Sequence, residues 1–159
     1  MMEEQPWSKI TITDIVKRAG LSRLTFYRHF ESKEETLLAW FDDLFAKYHE
    51  ELKRQSDILN LETALCKCFA YWDGTRKEVQ LLVHHDIADL LQPCFSRYLC
   101  DTIGMEALGV HASHIQRCFI EGGLFAIMLD WALSPAPATP QELADNVLKL
   151  MNRARSGHP

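Results

Sequence analysis

The sequence predicts an all-α protein. Apolar residues recur at spacings of three and four, helix-start signals follow one another along the chain, and nothing alternates apolar with polar for more than a few positions. No Asn-Gly or Asp-Gly hairpin turn occurs except Asp73-Gly74, which leads into another helix-start signal. With 159 residues, 47% of them apolar, 25% charged, and only 7 Gly and 6 Pro, the chain is neither disordered nor collagen-like. At this length a monomer buries roughly 68 to 70% of its unfolded surface, so a core forms without disulfide staples.

A first helix is expected over 12–19. Thr11 and Asp14 have the spacing of a capping box, and Ile12, Ile15, Val16 and Ala19 fall on one face. Gly20 ends it by supplying the left-handed conformation. Ser22 caps a second helix over 23–29, with Leu21 placed to staple onto Phe26 and with Phe26 and Phe30 pointing inward together. Arg23, Leu24, Tyr27 and Arg28 then face outward on a helix able to enter a major groove about 12 Å wide. This is the spacing of a helix-turn-helix.

Ser32-Lys33-Glu34-Glu35 opens a helix over 33–56 with Leu37, Leu38, Phe41, Leu44, Phe45, Tyr48 and Leu52 on its apolar face. Leu61, Leu65, Phe69 and Trp72 mark the next over 61–73. Thr75-Arg76-Lys77-Glu78 starts one over 76–85, followed by 87–103. The helix over 112–133 is apolar around most of its circumference from Ile115 onward, with Gly122 and Gly123 allowing close backbone approach, so it calls for a partner. Ser134 to Thr139 is a loop, and Thr139-Pro140-Gln141-Glu142 opens the last helix over 140–154, with Pro at the first helical position.

Charge is sorted along this order. Residues 8–33 hold six basic and two acidic groups, while the rest of the chain holds 11 basic and 20 acidic, for a formal charge of −5 overall. A basic N-terminal module before an acidic helical body suits a protein in which only the first part meets phosphate. The longest strongly apolar run, Leu124 to Leu133, is interrupted by Asp130 and falls well short of the ~20 residues of a membrane span. Glu3 and Glu4 stand where an export signal is positive, so a cytoplasmic, non-membrane protein is expected. Five cysteines without Cys-x-x-Cys spacing (Cys66, Cys68, Cys94, Cys100, Cys118) read as reduced thiols buried like small hydrophobes. His85 with Asp89 and His111 with His114 offer pairs at helical spacing, fewer than the three or four convergent ligands a zinc ion needs, so neither a metal nor a cofactor is expected. Glycine-rich phosphate loops, Gly-x-Ser-x-Gly and His-Glu-x-x-His are all missing, and no enzyme is expected.

The run Ile12-Thr13-Asp14-Ile15-Val16-Lys17-Arg18-Ala19-Gly20-Leu21-Ser22, then Thr25-Phe26-Tyr27-Arg28-His29-Phe30 and Ser32-Lys33-Glu34-Glu35, resembles the tetracycline-repressor (TetR) family of bacterial regulators. The resemblance covers about a quarter of the chain. It implies a DNA-binding domain over 1–46 and a helical regulatory and dimerisation domain over 47–159. Thr11, Tyr27, His29 and Lys33 would hold phosphates, while Thr13, Arg23, Leu24, Thr25 and Arg28 would face base edges. It further implies a homodimer, with 112–133 and 140–154 of each subunit forming a four-helix interface, a double-stranded, near-palindromic operator, repression, and a small-molecule effector admitted among the body's aromatics. Phe119-Ile120-Glu121-Gly122-Gly123-Leu124-Phe125, Trp131 and Thr139-Pro140-Gln141-Glu142-Leu143 are similar to a Firmicutes-type branch that includes regulators of dihydroxyacetone kinase operons.

In that family a helix of about four turns precedes the helix-turn-helix, and here Met1 to Trp7 stand in its place. The expectation is a largely truncated first helix, an exposed inner face at Ile15, Val16, Ala19, Phe26 and Phe30, weak DNA binding, and a start at Met1 or Met2 lying downstream of the family's. The rival reading is a protein-interaction module with a regulator-like body and weak or lost DNA binding.

Overall fold

The computed structural model describes residues 1–54, 61–103 and 114–156, and these are helical throughout apart from short connections. The helices are α1 (Ile12–Ala19), α2 (Arg23–Tyr27), α3 (Lys33–Arg54), α4 (Leu61–Asp73), α5 (Arg76–His84), α6 (Gln92–Ile103), α7 (His114–Leu133) and α8 (Pro140–Ser156), with 3-10 turns at Trp7–Lys9 and Ala88–Leu91. Among the described residues no helix is long and apolar enough to cross a membrane.

Most element ends follow the local signals. Thr11 and Asp14 form the reciprocal capping box, and Thr139 and Glu142 form a second, with Glu142 N donating to Thr139 Oγ1 (3.2 Å) and Thr139 N to Glu142 Oε2 (2.8 Å). At Ser32 only half a box closes: Glu35 N donates to Ser32 Oγ (3.2 Å), but the Glu35 carboxylate takes Glu31 N (2.6 Å). Thr75 makes no side-chain cap and donates instead to Trp72 O (3.2 Å). Its ψ of 16° lies outside the extended region from which a cap oxygen reaches the third helical N–H. The helix expected over 87–103 begins as a 3-10 turn and becomes α6 only at Gln92, beside Pro93, whose missing N–H is tolerated in a first turn but not in a helix interior.

The body packs α3 beside α6, α5 and α6 against α7, and α4 against α8. Its core is aromatic. Phe45 stacks on Tyr98 at 4.7 Å between centroids and meets Trp72 edge-on at 5.1 Å; Trp72 continues to Phe95, and Phe95 to Phe125 at 5.5 Å. Such offset and edge contacts exceed area burial alone by about 0.5 to 1.5 kcal/mol per pair. The polar tips at the edge of the core are answered by backbone, Tyr71 donating to Leu44 O (2.6 Å) and Tyr98 to Asp42 O (2.9 Å). Burial pushes the Cys68 and Cys94 thiols up to about 11. Of the cysteines expected to be buried, Cys94 is, Cys66 and Cys68 lie half-buried against the core, and Cys118 is exposed on α7, contrary to expectation. It lies in the first turns of α7, where every described side chain from His114 to Phe119 is exposed. Cys100 and His111 lie outside the residues whose side chains are described.

The pairing of His85 with Asp89 dissolves for a backbone reason. α5 stops at His84, and Asp86 takes a left-handed φ of 55°, so His85 and Asp89 do not share a helix face. His85 Nε2 instead lies 2.8 Å from Met2 O. No group of three metal-ligating side chains occurs among the described residues.

The end of α7 is held from α5. Arg76 Nε donates to Ala132 O (2.9 Å), its Nη2 to Trp131 O (3.2 Å) and Ser134 O, and Gln80 Nε2 donates to Ala132 O (2.6 Å). These are carbonyls that a helix C-terminus leaves without internal partners, and a cation there also suits the helix dipole. The guanidinium carbon sits 5.6 Å from the Trp131 ring centroid, while Trp131 Nε1 donates to Ala138 O (2.7 Å) and draws the following loop onto the helix. Arg76→Ala should lower stability by about 2 to 3 kcal/mol, the cost of leaving charged hydrogen bonds unmade at half-buried carbonyls. Urea unfolding should show a lower midpoint with an unchanged slope, and Arg76→Lys should recover only part of the loss because an ammonium cannot fork across three carbonyls.

Candidate nucleic-acid interface

The N-terminal head is built on two helices joined by a tight turn. At the end of α1 Gly20 adopts φ 67°, Gly20 N donates to Lys17 O (3.3 Å) and Leu21 N to Val16 O (2.9 Å). This is a Schellman closure, which needs a residue that tolerates positive φ. Ser22 then caps α2, its Oγ accepting from Thr25 N (3.0 Å). Leu21 stays 53% exposed, so the staple expected between it and Phe26 does not bury it.

Burial decides which way α2 faces. Val16 and Phe26 are buried, Ile15 and Phe30 half-buried, and Ala19 exposed, a partial correction to the inner face expected from helical spacing. Residues 1–10 bury two side chains of their own, Trp7 (7% exposed) and Ile10 (2%), and Glu4 pairs with Arg18 on α1 at 3.0 Å. None of these was singled out from sequence. A three-residue 3-10 turn is too short to show periodicity, and its partners lie up to 27 positions away.

On the outer side Leu24 is 74% exposed and Tyr27 49%, with Arg23 and Arg28 also exposed. Arg23 Nη2 reaches Tyr27 Oη (3.4 Å), and its guanidinium carbon lies 5.8 Å from the Tyr27 ring centroid; that ring stands edge-on against buried Phe26 at 5.6 Å. Thr25 is half-buried, with its hydroxyl 2.8 Å from that of Ser22. Thr13 is exposed on the first turn of α1, and Thr11 caps that helix with its hydroxyl on Asp14 (2.6 Å). α2 ends at Tyr27, two residues before its expected end, because Phe26 O accepts from both His29 N and Phe30 N and tightens the chain into a turn. Arg28 and His29 are exposed in that turn. Lys33 alone of the nine is turned into the chain: its ammonium donates to Trp7 O (2.7 Å) and Ile10 O (2.9 Å).

Residues 1–39 match the family model described as bacterial regulatory proteins, tetR family. The N-terminal segment is similar to that of the tetR family. Similar curated proteins include the HTH-type transcriptional regulator EthR of Mycobacterium tuberculosis, 45% identical over 42 residues that make up 26% of this chain and 19% of that protein. EthR of Mycolicibacterium smegmatis is 40% identical over 47 residues, 30% of this chain and 22% of that protein. The chain thus matches about a fifth of the length of these relatives. No solved structure matches it significantly. The family match ends at residue 39 and does not reach the C-terminal residues that carry the likeness to the dihydroxyacetone kinase regulators.

Acid should loosen the head. Asp14 accepts from both the backbone N–H and the hydroxyl of Thr11, which holds its carboxyl below the usual aspartate range, and Arg18 does the same for Glu4. A carboxyl depressed in the folded state contributes stability that is complete above its unfolded value, near 3.9 for Asp, and lost as the pH falls through the folded value. NMR shifts of the α1 amides should therefore report loss of helix below about pH 4. In Asp14→Asn that acid dependence should flatten.

Proposed function

We propose that the chain is a sequence-specific transcriptional regulator that represses by occupying a near-palindromic operator as a homodimer. The observation that carries this is the outward set on the head: Arg23, Leu24, Tyr27 and Arg28 are all exposed, on and just past a short helix whose opposite side is held by buried Phe26. Arg23 and Arg28 would fork onto guanine edges, with Thr13, Leu24 and Thr25 completing the contacts to bases. Thr11, Tyr27 and His29 would hold phosphates and so set the register without reading sequence.

The dimer reading rests on α7 and α8. Ile115 and Phe119 are 78% and 80% exposed, Leu133 is 50% and Leu150 on α8 is 60%. A Cβ added at Gly122 or Gly123 would meet nothing within 4 Å, so neither glycine is required for packing inside the chain. Ile115, Phe119, Gly122, Ala126 and Leu133 share one stripe of α7, and a second copy related by a two-fold axis would cover it. Effector control would act by population shift, a ligand favouring one separation of the two heads over the other.

Sequencing the genomic fragments retained by the purified protein tests the function directly. Retained fragments should share a pseudo-palindrome with half-sites about 34 to 36 Å apart or a multiple of that. Retention without a shared site would instead favour an interaction module. On the site so found, Arg28→Ala should cost about 1 to 3 kcal/mol and relax preference at one base position in each half-site.

Sedimentation at micromolar concentration should show a dimer. Phe119→Asp should shift it to monomer, and a wild-type monomer would remove the two-fold reading.

A further inference from the structure

We infer that Lys33 is a positioning residue that locks the head against the N-terminal segment, and that it does not hold a DNA phosphate. The inference rests on the DNA-binding reading only for its consequence, since the lock itself is a property of the free protein. Lys33 is the first residue of α3, where the positive end of the helix dipole disfavours a cation. Its surroundings offset that. The ammonium donates to Trp7 O at 2.7 Å and Ile10 O at 2.9 Å and lies 4.6 Å from the Trp7 ring centroid. Trp7 Nε1 in turn donates to Glu34 Oε1 (3.1 Å), so neighbouring residues of α3 grip both the backbone and the ring of one tryptophan. Two of the three ammonium donors are thereby engaged by carbonyls of buried residues, and the face of an indole shields the group from water.

With two donors on these carbonyls and the Trp7 ring beside the group, turning outward to a phosphate would loosen this grip and uncover the buried Trp7. The same grip fixes α3 to the chain 26 and 23 residues earlier and so sets how the head sits on the helix that leads into the body. The exposed arginines at 23 and 28 carry no such internal pairing to carbonyls, which separates their role from that of Lys33.

Two measurements on Lys33→Met separate the roles. One is affinity for the retained duplex across several salt concentrations; the other is amide exchange of residues 11–30 in the free protein, with α4 to α6 as internal control. A phosphate contact would, when removed, lower the salt slope by about one and leave exchange in the free head unchanged. The lock predicts at least tenfold weaker binding with the slope unchanged and at least tenfold faster exchange in residues 11–30, the body staying as it was. A slope lowered by about one with an unaltered free head would overturn the inference. Should the wild-type chain retain no duplex, the proposed function fails while the exchange arm still decides: faster exchange supports the lock, unchanged exchange refutes it. If Lys33→Met melts the head outright, Lys33→Gln keeps one donor without the charge. It should restore part of the exchange protection if the residue is a lock and none of the salt slope if it is a phosphate contact.

Discussion

Keeping Phe26 and Val16 out of water is the constraint on which the head depends. Burial of a side chain of this kind is worth about 1.5 to 3 kcal/mol, a large share of what two short helices can gather. Phe26 has one way to satisfy that demand, which is to turn α2 so that Arg23, Leu24 and Tyr27 face water. The exposed leucine and half-exposed tyrosine are thus consequences of an interior contact, and any change that uncovers Phe26 also re-aims the outer side.

A head so small cannot close that interior by itself, and the structure recruits two other parts of the chain. The N-terminal segment buries Trp7 and Ile10, Glu4 ties that segment to Arg18, and the first turn of α3 holds Trp7 through Lys33 and Glu34. Further along the same helix Phe41 and Phe45 enter the body's core. α3 runs unbroken for 22 residues, about 33 Å at 1.5 Å per residue, across the expected domain boundary at 46/47. One continuous helix therefore carries the grip on Trp7 at its start and core residues further along. A tilt of α3 in the body must move the head, which is the mechanical requirement for control at a distance.

The body shows the same economy of long-range anchoring at helix ends. α1 and α8 begin with local boxes, whereas the end of α7 is closed by Arg76 and Gln80 from α5, more than 50 positions away in sequence. That difference has a geometric origin. A helix start can be satisfied by the residue just before it, since a serine or threonine oxygen reaches the third N–H, but the final carbonyls of α7 point toward whichever element packs there. The turn at Asp86, by contrast, is a local closure of the kind seen at Gly20: its positive φ of 55° lets Ile87 N donate to Leu82 O (3.0 Å) at the end of α5.

Sequence alone determined the class of the protein and the order of its helices, because periodicity, caps and glycine stops act within a few residues of where they are written. Thr11 with Asp14, Gly20, Ser22 and the Thr139 box all behave as their spacing dictates, and the outward side of α2 was legible because Phe26 had to point inward. What could not be read locally is whatever depends on a partner distant in the chain. The burial of Trp7 and Ile10, the turn of Lys33 onto their carbonyls, the early end of α2 under the pull of Phe26 O, the idle cap at Thr75 and the exposure of Ala19 and Cys118 were all decided by folding. Each is a question of which surface meets which, and a linear pattern carries the faces of a helix but not the identity of the neighbour that covers them.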